Sequence, residues 1–334
     1  MSDLLRQWQL TAPGLDHLSC IGSPMPQPGP GQVLVRVEAA ALNYRDLMVT
    51  TGDYGRSMPH PLVPASDFAG TVTAVGAGVS RWQGGERVIS TFVGGWIDGQ
   101  APADVTILGA PGPGGLASNV LLDAQWLVAA PANASAVQAS TLPCAGLTAW
   151  FALVEQGGLR AGQTVLVHGT GGVALFGVQL ARLHGAQAIV VSGSADKRER
   201  ALALGAHHAL PRDSDWPAEI RRLTGGHGVD QVLETVGGAN VARSMAVLAQ
   251  GGRLSMIGVL DGGEFTASTY DTLLQRAVVQ GISVGHRRAL EDLVRAVELN
   301  RLQPVIAAEY GFEEVPAAFA HLTRGAFGKV VVRM

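Results

Sequence analysis

Gly169, Gly171 and Ala174 stand in the order G-x-G-x-x-A directly after the β-branched and aliphatic run Val165-Leu166-Val167-His168. Small residues at that spacing permit a tight turn, let the backbone approach a pyrophosphate and let a helix pack on a strand. The backbone of Gly169, Thr170, Gly171, Gly172 and Val173 is therefore the candidate phosphate cradle, at the positive end of the helix dipole. A following strand, Ala188 to Val191, ends in Ser192-Gly193-Ser194 and then Ala195-Asp196-Lys197-Arg198. A carboxylate about 20 residues past the glycines would accept hydrogen bonds from a ribose 2′-OH. The strand tip here has none, which removes the repulsion of a 2′-phosphate. Lys197 and Arg198 lie close enough in sequence to pair with one. Ser192, Gly193, Ser194, Lys197 and Arg198 thus point to NADPH over NADH. A purely structural role stays open, with Ser194 as an N-cap and Lys197 and Arg198 as a solvated first turn; Asp196 lies beyond the strand tip, inside the expected helix.

These residues need a strand, a turn and a helix to hold them, and the local pattern supplies all three. After the first run come about a dozen residues with apolar positions at helical spacing, closed by Gly185 as a C′ residue. Further strands are expected at His208 to Leu210, Val229 to Glu234, Arg253 to Ile257 and Val278 to Val284. Helical patterns lie between them, such as Val241 to Leu248 before a stop at Gly251-Gly252. Strands separated by helices imply a doubly wound parallel sheet.

Residues 1 to about 127 follow a different grammar. Val33, Val35 and Val37 alternate with Leu34, Arg36 and Glu38, and short runs at Gly70 to Val75, Arg87 to Thr91 and Ser118 to Leu122 are separated by glycine turns. That pattern predicts a small, mostly-β barrel. Residues 94 to 115 read as a long Gly/Pro-rich loop in which Trp96 either covers a pocket or packs the loop. The amphipathic Ala289 to Leu299 and the strand Lys329 to Val332 return to the first domain.

At 334 residues the chain has room for two domains, and 47% apolar against 15% charged residues with 44 glycines suits a buried parallel sheet with many turns. A net charge of −3 without a basic stripe argues against nucleic acid or an anionic membrane as the main partner. No uninterrupted apolar stretch reaches membrane-spanning length, and Met1 to Arg6 lack a signal peptide's basic region and apolar core, so the cytoplasm is the expected compartment. Cys20 and Cys144 form neither a disulfide framework nor a C-x-x-C metal pair. A lone cysteine such as Cys144 is either a small buried hydrophobe or a pocket thiol open to electrophiles.

Over essentially its whole length the chain resembles the medium-chain dehydrogenase/reductase superfamily. The resemblance is carried by Ala41-Leu42-Asn43-Tyr44-Arg45-Asp46, Pro64 to Gly70, Leu142 to Ala149, the glycine turn, and Phe327-Gly328-Lys329-Val330-Val331. It implies an α/β chain with a GroES-like mostly-β barrel catalytic domain (1–127, returning at 285–334) and a Rossmann doubly wound domain (128–284). Zinc enzymes of that superfamily bind their catalytic metal with Cys, His and commonly Cys, where this chain has Asn43, Ser66 and Cys144. A single thiol cannot fix a tetrahedral zinc with an open site, so no metal is expected. The Asn43-Tyr44-x-Asp46 pattern resembles the zinc-independent quinone oxidoreductase and zeta-crystallin-like branch, whose members pass a hydride from NADPH to quinones or conjugated enals and enones.

Carried over residue by residue, the resemblance makes Asn43, Tyr44 and Thr148 the catalytic candidates. Asn43 would act as an amide donor, and Tyr44 as proton donor or aromatic wall. Asn43, Thr148, Lys329 and the backbone of Ile257, Gly258 and Val259 become cofactor contacts. Asp46 would brace its loop and Asp67 be structural. Many quinone reductases have a tyrosine near the 2′-phosphate where Pro211-Arg212 stands here. His168 is expected as a core or rim histidine, while His286 with Arg287-Arg288 could approach the phosphates. Two other readings remain: an NADP-dependent alcohol dehydrogenase or ketone reductase lacking zinc, and an NADPH-binding protein with little turnover. The edge strand at Val278 to Val284 predicts a homodimer.

Overall fold

The computed structural model describes residues 4–334 apart from Arg56. The first three residues of the expected leader-free N-terminus therefore lie outside the described residues. In chain order the first segment holds β1 (Leu4–Leu10), β2 (Leu18–Pro24), β3 (Gln32–Leu42), α1 (Tyr44–Thr51), β4 (Asp67–Val75), β5 (Arg87–Ser90), β6 (Val93–Gly94), β7 (Thr106–Ile107), β8 (Asn119–Asp123), β9 (Leu127–Ala129) and α2 (Ala136–Ala139). Then come α3 (Leu147–Trp150), β10 (Thr164–His168), α4 (Gly172–Leu183), β11 (Gln187–Ser192), α5 (Ala195–Leu204), β12 (His208–Pro211), α6 (Trp216–Leu223) and β13 (Val229–Glu234). They are followed by α7 (Asn240–Met245), β14 (Leu248–Met256), α8 (Thr269–Gln275), β15 (Val278–Gly281), α9 (Arg287–Asn300), β16 (Ile306–Gly311), α10 (Val315–Thr323) and β17 (Lys329–Arg333).

Two compact units result: Met1–Leu147 with Val284–Met334, and Thr148–Ser283. The first boundary thus lies at Leu147 and not at 127, because β9 pairs antiparallel with β5 and Ala136 and Val137 pack on Ala39, Ala41 and Val331. The second lies at Ser283, beside the expected 284.

The first unit is mostly β. Its seven-stranded sheet runs β16-β17-β3-β4-β5-β9, with β8 added on β3. In β3 the side chains of Val33, Val35 and Val37 are buried while Arg36 is exposed, the alternation of a sheet with one face on a core. Phe68, Leu108, Leu116 and Phe319 fill that core. Strand β17 lies against β3 in antiparallel register, Val330 opposite Leu42, so the C-terminal segment completes the sheet.

The second unit is a six-stranded sheet in the order β12-β11-β10-β13-β14-β15, parallel at every pairing. Every residue of β10 is buried, as expected of a central strand covered on both faces. The order reverses between β10 and β13, where doubly wound sheets open a crevice for ligands. One expected element differs. The helix ends at Met245, and β14 starts at Leu248, so Gly251-Gly252 falls inside the strand. Leu248 pairs with Val229 and Arg253 with Gln231, and the residues between bulge out with Gly251 at φ 71°. Residues Ala136–Glu155 are long and apolar enough to cross a membrane by length and composition, although Gln138, Ser140 and Thr141 interrupt the apolar run; 78% of the window is buried in the protein.

Candidate functional site

The glycine turn forms as the spacing predicts. Gly169 takes φ 78°, a conformation that suits glycine, and Gly171 caps α4. The first bond inside that helix runs from Leu175 N–H to Gly171 O, so the N–H groups of Gly172, Val173 and Ala174 are left for a ligand. A Cβ placed on Gly171 would meet nothing within 4 Å, which leaves the approach to the helix end open. A pyrophosphate fits that opening and those donors. The tight helix–strand contact lies further on, at Gly177, where a Cβ would stand 2.4 Å from Leu233 Cδ1. Sequence reasoning placed that role at Ala174 and missed Gly177.

At the tip of β11, the carbonyl of Ser192 accepts from Arg198 Nη1 at 2.8 Å and from Arg212 N–H at 3.3 Å. The Arg212 guanidinium lies over Gly193, 3.4 Å from where a Cβ would be. Ser194 is the N-cap of α5, its Oγ accepting from Lys197 N–H at 3.3 Å, and Lys197 is half-buried. The structural role considered for Ser194 is therefore real. It leaves the two guanidiniums converging on the strand tip, while Asp196 faces solvent beside Arg200.

Ile257 and Gly258 both donate their N–H to the Glu234 carbonyl, at 2.9 and 3.0 Å, and Gly258 presses so closely on Thr235 O that a Cβ would lie 1.8 Å from it. Val259 is exposed. Thr235 Oγ1 donates to the carbonyl of His168, the residue before the glycine turn, at 2.7 Å. Beneath it the Glu234 carboxylate accepts from Val236 N–H, Gly237 N–H, Asn240 Nδ2 and Ser244 Oγ. Because Ser244 gives its proton to Glu234, its oxygen accepts from His168 Nε2 at 2.8 Å, which fixes the tautomer. Burial pushes the His168 pKa down, so the ring is neutral. His168 is thus a bonded core histidine that ties the phosphate turn to the 257–259 stretch.

In the first unit, Asn43 caps α1 and is buried, but its side chain makes no capping hydrogen bond. The helix start is tied instead by Asp46 Oδ2, which accepts from Asn43 N–H at 2.8 Å. The amide oxygen of Asn43 accepts from Lys329 Nζ at 2.5 Å, and the same ammonium donates to Leu42 O at 2.7 Å. Lys329 is buried, so its charge sits among protein groups and not in water. Asp67, also buried, accepts from Ser66 Oγ at 2.6 Å and from Cys144 N–H at 3.0 Å. Burial raises the Asp67 pKa, opposed by the Lys329 charge and by the Ser66 and Asn43 side chains. Burial, with Asp67 adding to it, pushes the Cys144 thiol up, so it stays protonated. Arg45 donates to Leu108 O and Ala110 O and lies over the rings of Tyr54 and Phe92.

Asn43, Ser66 and Cys144 thus meet around Asp67 and Lys329, and Lys329 belongs to this cluster through its contact with Asn43. Tyr44 is 49% exposed at the first turn of α1. Thr148 is buried at the start of the second unit. His286 is taken up locally: Nδ1 accepts from Ala289 N–H, Nε2 is 3.4 Å from Asp98, and Trp96 packs edge-on against the ring. Arg287 and Arg288 donate their N–H groups to Trp96 O and Ile97 O, so the 94–115 loop is pinned to the start of α9.

Residues 29–132 match the alcohol dehydrogenase GroES-like domain family and residues 172–298 match the zinc-binding dehydrogenase family. The chain is 35% identical to a zinc-type alcohol dehydrogenase-like protein of Schizosaccharomyces pombe, over 96% of each. It is 28% identical to the quinone oxidoreductase of Homo sapiens, over 92% of this chain and 91% of that one. Among solved structures, a candidate alcohol dehydrogenase from Sinorhizobium meliloti 1021 superposes with a TM-score of 0.96 at 50% identity, with each chain fully covered.

Proposed function

The chain belongs to the medium-chain dehydrogenase/reductase superfamily and is an NAD(P)H-dependent oxidoreductase, and from that premise we propose that it reduces quinones or α,β-unsaturated carbonyls with NADPH and without zinc. The observation that carries this reading is the buried ammonium of Lys329 on Asn43 Oδ1. Where zinc relatives have ligands, this chain offers an amide oxygen already bonded to a cation, a hydroxyl donating to Asp67, and a thiol that burial keeps protonated. Zinc requires deprotonated donors and a free coordination sphere. The donor set does not fit the metal, although family and relative carry zinc in their descriptions.

NADPH would bind with its pyrophosphate on the N–H groups of Gly172 and Val173 and its 2′-phosphate between Arg198 and Arg212. When bound it supplies a hydride. The chain's own task is to stabilise the oxygen on which charge then develops, which a hydrogen-bond donor can do for a quinone or conjugated carbonyl because the anion is delocalised. Asn43 Nδ2 is that donor. Tyr44, next in the chain and open to solvent, or water supplies the proton. The setting we propose is cytoplasmic.

The test is NADPH and NADH oxidation with a panel of quinones, 2-alkenals and simple ketones, with and without a chelator, alongside alcohol-dependent NADP reduction. We expect chelator-insensitive turnover that prefers NADPH and conjugated acceptors. Loss of activity on chelation would refute the zinc-free reading. Alcohol oxidation alone would favour a dehydrogenase, and tight NADPH binding without turnover a binding protein.

A further inference from the structure

An asparagine at a helix N-cap ordinarily turns its side-chain oxygen onto a first-turn N–H. Asn43 does not: its side chain makes no capping bond, and the oxygen is held at 2.5 Å by the ammonium of Lys329. The other end of the amide, Nδ2, is buried and meets no acceptor at hydrogen-bond geometry. A donor in that state is costly and is retained where it has a partner to gain. The orientation is fixed from both sides. Turning the amide over would set its NH2 against the ammonium and its oxygen toward Asp67, whose charged form the Asn43 side chain stabilises as it stands.

We propose that Lys329 is a positioning residue, which locks and polarises the Asn43 amide so that Nδ2–H is a preorganised donor to the oxygen of the bound acceptor. The inference rests on the reductase reading for its substrate and goes beyond it in assigning Lys329 to Asn43 and not to the cofactor phosphates. Donation from a cation to Oδ1 withdraws electrons from the amide and strengthens its N–H as a donor. Lys329 is already committed to Leu42 O and Asn43 Oδ1, both protein groups. Its effect on the reaction therefore passes through Asn43.

A double-mutant cycle of Asn43→Ala and Lys329→Met tests this. Each variant is first checked for thermal midpoint and for NADPH binding by fluorescence, and then assayed with NADPH and 1,4-naphthoquinone or trans-2-hexenal. We expect each single change to lower kcat at least tenfold with little change in KM for NADPH. The double variant should be within about twofold of Asn43→Ala. Full additivity would overturn the proposal, as would a Lys329→Met variant that raises KM for NADPH and spares kcat. If Lys329→Met does not fold, Lys329→Gln, which keeps a donor, takes its place in the cycle and should retain more kcat than Asn43→Ala. If the wild type reduces none of these acceptors, the reductase reading fails, and this inference is then read from the side-chain amide resonances of Asn43 in 15N-asparagine-labelled protein, assigned by their loss in Asn43→Ala. A shift on substituting Lys329 supports it; resonances that do not move overturn it.

Discussion

Asp46 is the acid nearest the proposed donor, and its environment is the harshest in the cluster. It is buried, bonded to Asn43 N–H, and 3.8 Å from the Arg45 guanidinium. Burial dominates over that cation and raises its pKa from 3.8 to about 6. The folded chain therefore binds this proton more tightly than the unfolded chain. The resulting stability is fully present below pH ~4 and is lost as pH rises through ~6. A displacement of this size corresponds to roughly 3 kcal/mol. Asp46→Asn keeps an acceptor for Asn43 N–H and cannot ionise. Its stability relative to wild type should improve by up to that amount between pH 4 and pH 7, read from urea midpoints; a difference that is flat with pH would refute it. At this scale the sequence named Asn43 and Lys329 separately. Their contact spans 286 positions and belongs to no local pattern. Asp67 bonding to Cys144 N–H was equally hidden, since nothing in either segment announces the other.

Elements were legible where two periodicities meet. The run through β10, the turn and α4 was readable because buried alternation-free strand, glycines and helical spacing abut, and Gly185 takes the φ of 69° expected of its position. The reading failed at glycines that serve packing. Gly251 and Gly252 looked like a helix stop and are a bulge within β14, because the pairing of Leu248 with Val229 had already begun the strand. Gly177 looked like a weak point in a helix, where alanine is intrinsically better by about 1 kcal/mol. Its reason is Leu233, which no local rule reveals. Gly177→Ala should therefore destabilise the protein by about 1–3 kcal/mol despite its better helix propensity. A variant as stable as wild type in urea titration would show that Leu233 moves aside freely.

On the scale of the whole molecule, β15 is the outermost strand of its sheet, with Val278 and Val279 exposed. Tyr270 at 71% and Leu273 at 70% exposure stand on α8 just before it. An apolar edge of this kind invites pairing, and we propose that two copies join edge to edge about a twofold axis. Light scattering at micromolar concentration should give twice the 34.6 kDa of one chain, and Leu273→Lys with Val279→Lys should halve it; a monomeric wild type would sink the proposal. The first unit has a different peculiarity, for β17 joins β3 only after the whole of Thr148–Ser283 has been made. During synthesis β3 and β4 emerge first and wait without their neighbour, while the later unit can fold from contiguous chain. Closing so long a loop carries an entropic cost that grows only as its logarithm, and it is lower still once the intervening segment has become compact. The nucleotide-binding half can thus exist on the ribosome before the proposed donor is locked, and a chain released short of Lys329 would hold its coenzyme and have nothing with which to aim Asn43.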